Sequence, residues 1–185
     1  DAIRRASQSL ESYDYYYNID LADLSVCDLG NLELETNPSI AYEAIREMVI
    51  DLPERTIPVC LGGEHSITPP VVEALADQGD LGIIVLDAHL DLRDEYGGTK
   101  LSHACASRRI LEIEGVYSFA SLGIRSGSKD EFAFAKENDV SYFTSDAIRE
   151  KGIDDVLDLA LESLDNGRIY ISIDIDVFDP AYAPG

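Results

Sequence analysis

The chain has 185 residues, 45% of them hydrophobic, which excludes a disordered protein and allows one sizeable core, so we predict a single domain over residues 1–185. The formal net charge of −22 argues against nucleic acid and anionic membranes as partners and favours a small cationic substrate. The excess of 36 acidic over 14 basic residues indicates a halophilic surface, with an acidic mesophilic protein as the alternative.

Apolar runs typical of strands alternate with segments of helical periodicity along the chain. This alternation predicts an α/β fold with a parallel sheet covered by helices on both faces. In such sheets ligands bind beyond the carboxyl ends of the strands. The predicted strands are 24–29, 57–63, 81–89, 116–125, 140–145 and 168–176, and the predicted helices are 39–51, 69–78, 104–114, 129–137 and 154–164.

The three cysteines are odd in number and lack CxxC spacing, so the sequence predicts neither a disulfide framework nor a zinc ribbon. Cys27 and Cys60 lie in apolar runs and are predicted to be core residues. This cysteine usage fits a reducing cytoplasm best. The sequence contains no apolar run of membrane-spanning length and no visible signal peptide. Because the chain begins at Asp1 without methionine, we expect a fragment.

The first unusual motif, CLGGEHSITPP, follows the predicted strand 57–63. Two glycines allow a sharp turn, and Pro69 and Pro70 suit the start of a helix. His65 is thereby placed near the carboxyl end of a strand. A lone histidine in such a place is more often a satisfied loop residue than a metal ligand.

The second motif, LDAHLDLRDEYG, ends the predicted strand 81–89. Asp87, His89 and Asp91 are two residues apart, so on an extended chain they point to the same side. Two bare carboxylates there would repel each other, and Asp94 makes the region more negative. A bound cation is therefore the first candidate at this strand end.

The third motif, SIDIDVFDP, repeats the same pattern with Asp174 and Asp176. Taken alone, this pair could be turn carboxylates that cap the following segment. The placement of the histidines argues for a metal site instead, because each falls within or just after one of the three motifs. They are His65, His89 and His103.

Two imidazoles and four carboxylates suit Mn²⁺ and other oxygen-preferring divalent ions better than a structural zinc ion. Six ligands are too many for one catalytic ion with open positions. They suit two ions that share a water molecule, a pattern that indicates hydrolysis.

The segments GGEHSIT, DAHLDLRDEYGGTKLSHACASRRI and SIDIDVFDPAYAPG resemble the three signatures of the ureohydrolase family, the arginase and agmatinase group. The resemblance implies a three-layer α/β/α arginase-like fold with a parallel sheet. It also implies a hydrolase acting on linear amidines, with two Mn²⁺ per subunit. The metal ligands that it implies are the six residues found above: His65, Asp87, His89, Asp91, Asp174 and Asp176.

The resemblance also implies that activated water attacks the guanidino carbon and that His103 carries a proton to the leaving amine. A histidine titrates near neutral pH, which suits this work. The alternative for His103 is a capped or exposed residue at a helix start. The family's chain continues past Gly185 and supplies a late glutamate that holds the guanidinium group. The resemblance also implies a further amino-terminal segment, so we expect a partial domain, truncated at both ends and incomplete at the C-terminus.

Within the family, RDEYGGTKLSHAC lacks the LHG-like loop of arginases, and the chain resembles the archaeal-type agmatinases. This implies cleavage of agmatine to urea and putrescine in polyamine biosynthesis, by a homotrimer or homohexamer. An acidic entrance at Asp94 or Glu95 would favour that cationic substrate. Formimidoylglutamase, guanidinobutyrase and arginase are the alternatives within the family, and a catalytically inactive regulatory or binding paralogue is the alternative of another class.

Overall fold

The computed structural model describes residues 2–164 and 167–184, and the chain divides into two compact units, residues 1–34 and 35–185. The smaller unit contains a short helix, a two-stranded antiparallel ladder and a 3₁₀ turn. Asp14 closes the ladder's loop by accepting hydrogen bonds from the backbone N–H groups of Tyr16 and Tyr17. The elements are α1 (Ala2–Ser7), β1 (Tyr13–Asp14), β2 (Ile19–Asp20) and the turn Leu21–Asp23.

The larger unit alternates helices and strands, as the sequence predicts. Its helices are α2 (Pro38–Ile50), α3 (Thr68–Ala76), α4 (Ala106–Leu111), α5 (Lys129–Glu137), α6 (Ser145–Lys151) and α7 (Ile153–Glu162). Its strands are β3 (Leu81–Leu86), β4 (Val116–Ile124), β5 (Ser141–Thr144) and β6 (Arg168–Ile173). Three 3₁₀ turns, His65–Ile67, His103–Cys105 and Ile175–Val177, lie at motif positions.

Over the described residues, the four strands of this unit form one parallel sheet in the order β5-β4-β3-β6. Helices cover both faces, which confirms the predicted layered α/β architecture. On one face, Ile83 and Val85 of β3 pack with Val72 of α3 and Ile110 of α4. On the other face, Ile84 belongs to a cluster that includes three residues of and just after α7: Val156, Ala160 and Leu164.

Two predicted strands are wrong. Within the described residues, neither 24–29 nor 57–63 pairs with another strand. The side chains of Ile57 and Val59 are exposed, and Cys27 and Cys60 are exposed rather than part of the core. An apolar run favours extended backbone, but a strand also needs a neighbouring edge for its hydrogen bonds.

The helix predictions differ from the structure mainly at the ends and in the short elements. The predicted helix 129–137 matches α5, whose capping box at Ser128 and Glu131 fixes its start. The predicted helix 104–114 is shorter, because it begins as the turn His103–Cys105 and α4 ends at Leu111. Helices α1 and α6 are additional. Among the described residues, no helix is both long and apolar enough to span a bilayer.

Candidate metal centre

The site lies where the carboxyl ends of β3 and β6 meet. Leu86 pairs with Ile173 in the parallel register, so Asp87 and Asp174 leave adjacent strands side by side. The backbone N–H of Asp174 donates to the carbonyl of Leu86 at 2.8 Å, which extends the ladder to the first ligand position. The fold thereby brings together two motifs that are far apart in sequence, at the edge where parallel sheets bind ligands.

The predicted ligands form two groups that share Asp87. In each group, the potential ligand atoms lie within 4.8 Å of one another. The inner group is His65, Asp87 and Asp91, all buried, and the outer group is Asp87, His89 and Asp176. Asp174 lies beside the inner group, with Oδ2 4.0 Å from Nδ1 of His65.

Backbone N–H groups orient three of the four aspartates. Oδ1 of Asp87 accepts from the N–H of His89 at 2.7 Å, and Oδ1 of Asp174 accepts from the N–H of Asp176 at 3.0 Å. Oδ1 of Asp176 accepts from the N–H of Ala88 at 3.1 Å. Each bond uses one carboxylate oxygen and leaves the second oxygen available, so the carboxylates are fixed before any ion binds.

His65 stands between two carboxylates in a buried environment. Its Nδ1 lies 2.9 Å from Oδ2 of both Asp87 and Asp91. One N–H can donate to one of them, and the geometry favours Asp91, so the buried Oδ2 of Asp87 has no hydrogen-bond partner among the described residues. Nε2 of His65 lies 3.1 Å from Oγ of Ser172.

The electrostatics of the inner group favour a bound cation. Burial alone lowers the pKa of His65, but the adjacent Asp87 and Asp91 outweigh burial and raise the pKa to about 10. Burial raises the pKa of Asp91, and the charge of Asp87 adds to this effect against the opposing His65. A positive charge between these carboxylates relieves both costs. An ion that replaces the proton on Nδ1 of His65 would leave Nε2–H to donate to Ser172, so the donor set fits a divalent metal.

His103 begins the turn before α4 and belongs to neither ligand group. Its Nδ1 lies 3.0 Å from Oε2 of Glu64, the residue directly before His65. Oγ of Ser66 donates to the other oxygen of Glu64. The ring of Tyr96 meets the imidazole edge-on, with centroids 5.7 Å apart. His103 is thus held beside the ligand motif while its side chain is 55% exposed.

The acidic entrance expected at Asp94 is compensated by local cations. Arg109 and Lys100 donate to this carboxylate at 2.9 and 3.1 Å. Their hydrogen bonds, that of Arg109 first, lower the pKa of Asp94. Glu95 is exposed. Negative charge near the site therefore comes mainly from the ligand aspartates themselves.

The structure adds three residues that sequence reasoning missed: Glu64, Ser172 and Arg125. Ser172 precedes Asp174 by two positions in β6, so the alternation that predicted the ligands also placed this hydroxyl on their side. Glu64 is a carboxylate inside the first histidine motif. Arg125 is a cation directly after an apolar strand, at the edge where the acids collect.

The whole chain, residues 1–185, matches the family model described as the arginase family. It is 40% identical to the agmatinase of Bacillus subtilis over 186 residues, covering 99% of this chain and 62% of that protein. It is 41% identical to the N(1)-aminopropylagmatine ureohydrolase of Thermococcus kodakarensis, covering 98% of this chain and 61% of that protein. The chain thus spans about three fifths of these relatives.

A solved structure agrees with these relatives. The agmatine ureohydrolase of Thermoplasma volcanium superposes with a TM-score of 0.89 at 40% identity, covering 100% of this chain and 62% of that one. This similarity identifies the α/β architecture of the chain as an arginase-like fold. On the family match and these identities, the chain belongs to the arginase family.

Proposed function

We propose that the protein is a manganese hydrolase that cleaves the guanidino group of agmatine to urea and putrescine, a step of polyamine biosynthesis. The observation that carries the proposal is the pair of ligand groups sharing Asp87 at the carboxyl edge of the sheet. Relatives at about 40% identity that bear agmatinase names support the substrate. Residues 1–185 form one partial domain of the enzyme in this proposal.

Two Mn²⁺ per subunit would be held by the six sequence-predicted residues. Imidazole nitrogen and carboxylate oxygen together suit Mn²⁺, and the shared Asp87 accounts for two adjacent positions. When bound, such ions lower the pKa of water and polarise the group under attack. The proposed ligands are His65, Asp87, His89, Asp91, Asp174 and Asp176.

The chain's own residues then bind, orient and move protons. Asp87, Asp174 and Asp176 are held by backbone N–H groups, so their orientation needs no reorganisation when an ion binds. Nδ1 of His103 faces Oε2 of Glu64 at 3.0 Å, which leaves Nε2 to pass a proton to the leaving amine. Oxygens of Glu64 are engaged by both His103 and Ser66, and this fixes the imidazole's orientation.

Charge complementarity favours a substrate without a carboxylate. Agmatine is cationic at both ends, and the site presents four aspartates, while the guanidinium of the nearby Arg125 is already bound to backbone carbonyls. A substrate carboxylate would have to enter this negative field without a partner, which costs free energy in a desolvated site. Arginine, 4-guanidinobutyrate and formimidoylglutamate each carry such a group and are the alternatives within the family.

The decisive experiment is kcat/KM of the full-length natural protein with Mn²⁺ at low and high salt. Agmatine and N(1)-aminopropylagmatine are compared with arginine, 4-guanidinobutyrate and formimidoylglutamate. We expect agmatine to be preferred at least about 100-fold over each carboxylate-bearing compound, because an unpaired buried charge is strongly rejected. A preference for a carboxylate-bearing substrate would overturn the agmatinase assignment, and a preference for the aminopropyl compound would move it to the longer polyamine.

The alternative of another class is a regulatory or binding paralogue. Such a protein would bind Mn²⁺ and hydrolyse none of the five compounds, releasing neither urea from the guanidino compounds nor formamide from formimidoylglutamate. Retention of all six proposed ligands and of His103 favours an enzyme instead. We also propose a cytoplasmic homotrimer or homohexamer, which light scattering on the full-length protein tests directly.

A further inference from the structure

Arg125 joins three strand ends at the edge of the sheet. It directly follows β4, and its backbone N–H donates to the carbonyl of Ala88 at 2.9 Å, between Asp87 and His89. The N–H of Ser126 donates to the same carbonyl at 3.0 Å. The backbone at Arg125 is therefore tied to the loop that carries ligands of both groups.

The side chain of Arg125 reaches the other ligand loop. Its guanidinium donates to the backbone carbonyl of Asp176 and, at 3.3 Å each, to those of Val177 and Phe178. These carbonyls lie at the end of the turn Ile175–Val177, which follows β6. One planar side chain thus holds three successive carbonyl groups of the segment that begins with a proposed ligand.

A glycine nearby allows the two loops to approach. Gly123 has φ +101°, a conformation that glycine adopts without strain. A Cβ at this position would lie 2.5 Å from Cγ2 of Val177 and 3.0 Å from the carbonyl oxygen of Asp87. The close approach of β4 to both ligand loops is therefore a built feature of the fold, independent of the Arg125 side chain.

We propose that Arg125 is a positioning residue that sets the outer ligand group by holding the turn of Asp176 against the loop of Asp87 and His89. The guanidinium binds main-chain carbonyls, so the carboxylate oxygens stay available for an ion. A lysine keeps the charge but cannot bind three carbonyls in one plane. The proposal rests on the proposed function only in treating Asp176 and His89 as metal ligands.

The test measures Mn²⁺ binding to the full-length protein by competition with a fluorescent chelator, without substrate. The variants are Arg125→Lys and Arg125→Met, and the control is Arg149→Met, since Arg149 is exposed and pairs with Asp146 in α6. We expect the dissociation constant of the weaker Mn²⁺ site to rise about 10- to 100-fold in both Arg125 variants, the usual effect of losing a group that orients a ligand. The control should match the wild type.

Two further measurements separate positioning from folding. The metal-free Arg125→Lys protein should stay folded at the assay temperature, with a Tm lowered by only a few degrees for the lost hydrogen bonds, and KM for agmatine should be unchanged when Mn²⁺ is in large excess. Unchanged Mn²⁺ affinity in Arg125→Lys, with or without a lower metal-free Tm, would overturn the proposal. If Arg125→Met does not fold, the Lys variant decides. Wild-type protein that binds Mn²⁺ but releases no urea would refute the proposed function and leave this inference standing.

Discussion

The inner and outer ligand groups contain similar side chains in very different surroundings. In the inner group, the side chains of His65, Asp87 and Asp91 are 4%, 1% and 10% exposed. In the outer group, His89 and Asp176 are 50% and 41% exposed. Ligand identity alone would make the two positions equivalent, whereas burial makes them unequal.

The difference has an energetic consequence. Removing the inner ion forces proton uptake by His65, whose pKa is raised to about 10, and leaves two buried carboxylates to share this one positive charge. Removing the outer ion leaves His89 and Asp176 in contact with water, which replaces the lost interactions at small cost. The inner ion should therefore contribute to folding, while the outer ion should exchange readily.

The largest effect is expected from Asp87, because it belongs to both groups. Asp87→Ala and the isosteric Asp87→Asn should each reduce bound Mn²⁺ from about two per chain toward zero and urea release to background. Elemental analysis of purified protein measures the metal, and Asp146→Asn on the exposed surface is the matched control. Two ions retained in both Asp87 variants would refute the shared-ligand assignment.

His103 belongs to neither ligand group, so substituting it separates proton transfer from metal binding. His103→Ala should leave the metal content unchanged and lower kcat about 10²- to 10⁴-fold, the usual contribution of a positioned acid or base. Glu64→Gln should lower kcat less, because the imidazole remains but its orientation is weakened. Metal loss in His103→Ala would make it a ligand, and unchanged turnover would remove it from the mechanism.

Much of this arrangement could be predicted from the sequence. The period-two placement of Asp87, His89 and Asp91, and of Asp174 and Asp176, put the acids on one side of two strand ends, and the structure does bring them together. These period-two patterns are local in sequence and so can be read from it. The strand pairings are only partly local, because β3, β4 and β5 pair in chain order whereas β6 pairs with β3.

The failures share a non-local cause. The segment 57–63 is as apolar as a buried strand, but hydrophobicity does not determine whether a strand edge is available for it to pair with. Ser172 and His65 are 107 residues apart, and Arg125 and Asp176 are 51 apart. The unequal burial of the two ligand groups also depends on tertiary packing, which motif spacing does not contain.

Graded chelation should resolve the inner and outer groups directly. We expect two phases, with the outer Mn²⁺ lost at a chelator strength at least about tenfold lower, because its ligands are exposed to competing water. The loss of the second ion should produce most of the fall in Tm, because the more tightly bound ion stabilises the folded protein more. A ligand present at 100 times its dissociation constant stabilises by about 2.7 kcal/mol. Asp176→Ala should remove the first phase and Asp91→Ala the second. Simultaneous loss of both ions in the wild type would show that burial does not separate the two sites.

The smallest effect is expected at Ser172, which acts on the inner group through His65. Its Oγ lies 3.1 Å from Nε2 of His65 and 3.2 Å from Oγ1 of Thr68, so it can hold the ring with Nδ1 facing the carboxylates. Ser172→Ala should raise the dissociation constant of the inner Mn²⁺ about tenfold and leave the outer ion unaffected. Ser172→Thr keeps the hydroxyl and should bind the inner Mn²⁺ as tightly as the wild type. Thr68→Val removes only the second hydrogen-bond partner of Ser172 and should weaken inner Mn²⁺ binding less than Ser172→Ala does. Because the inner group is buried, water cannot easily replace the missing hydroxyl. An outer ion weakened as much as the inner one by Ser172→Ala would mean that the two groups respond as one unit, and the distinction based on burial would fail.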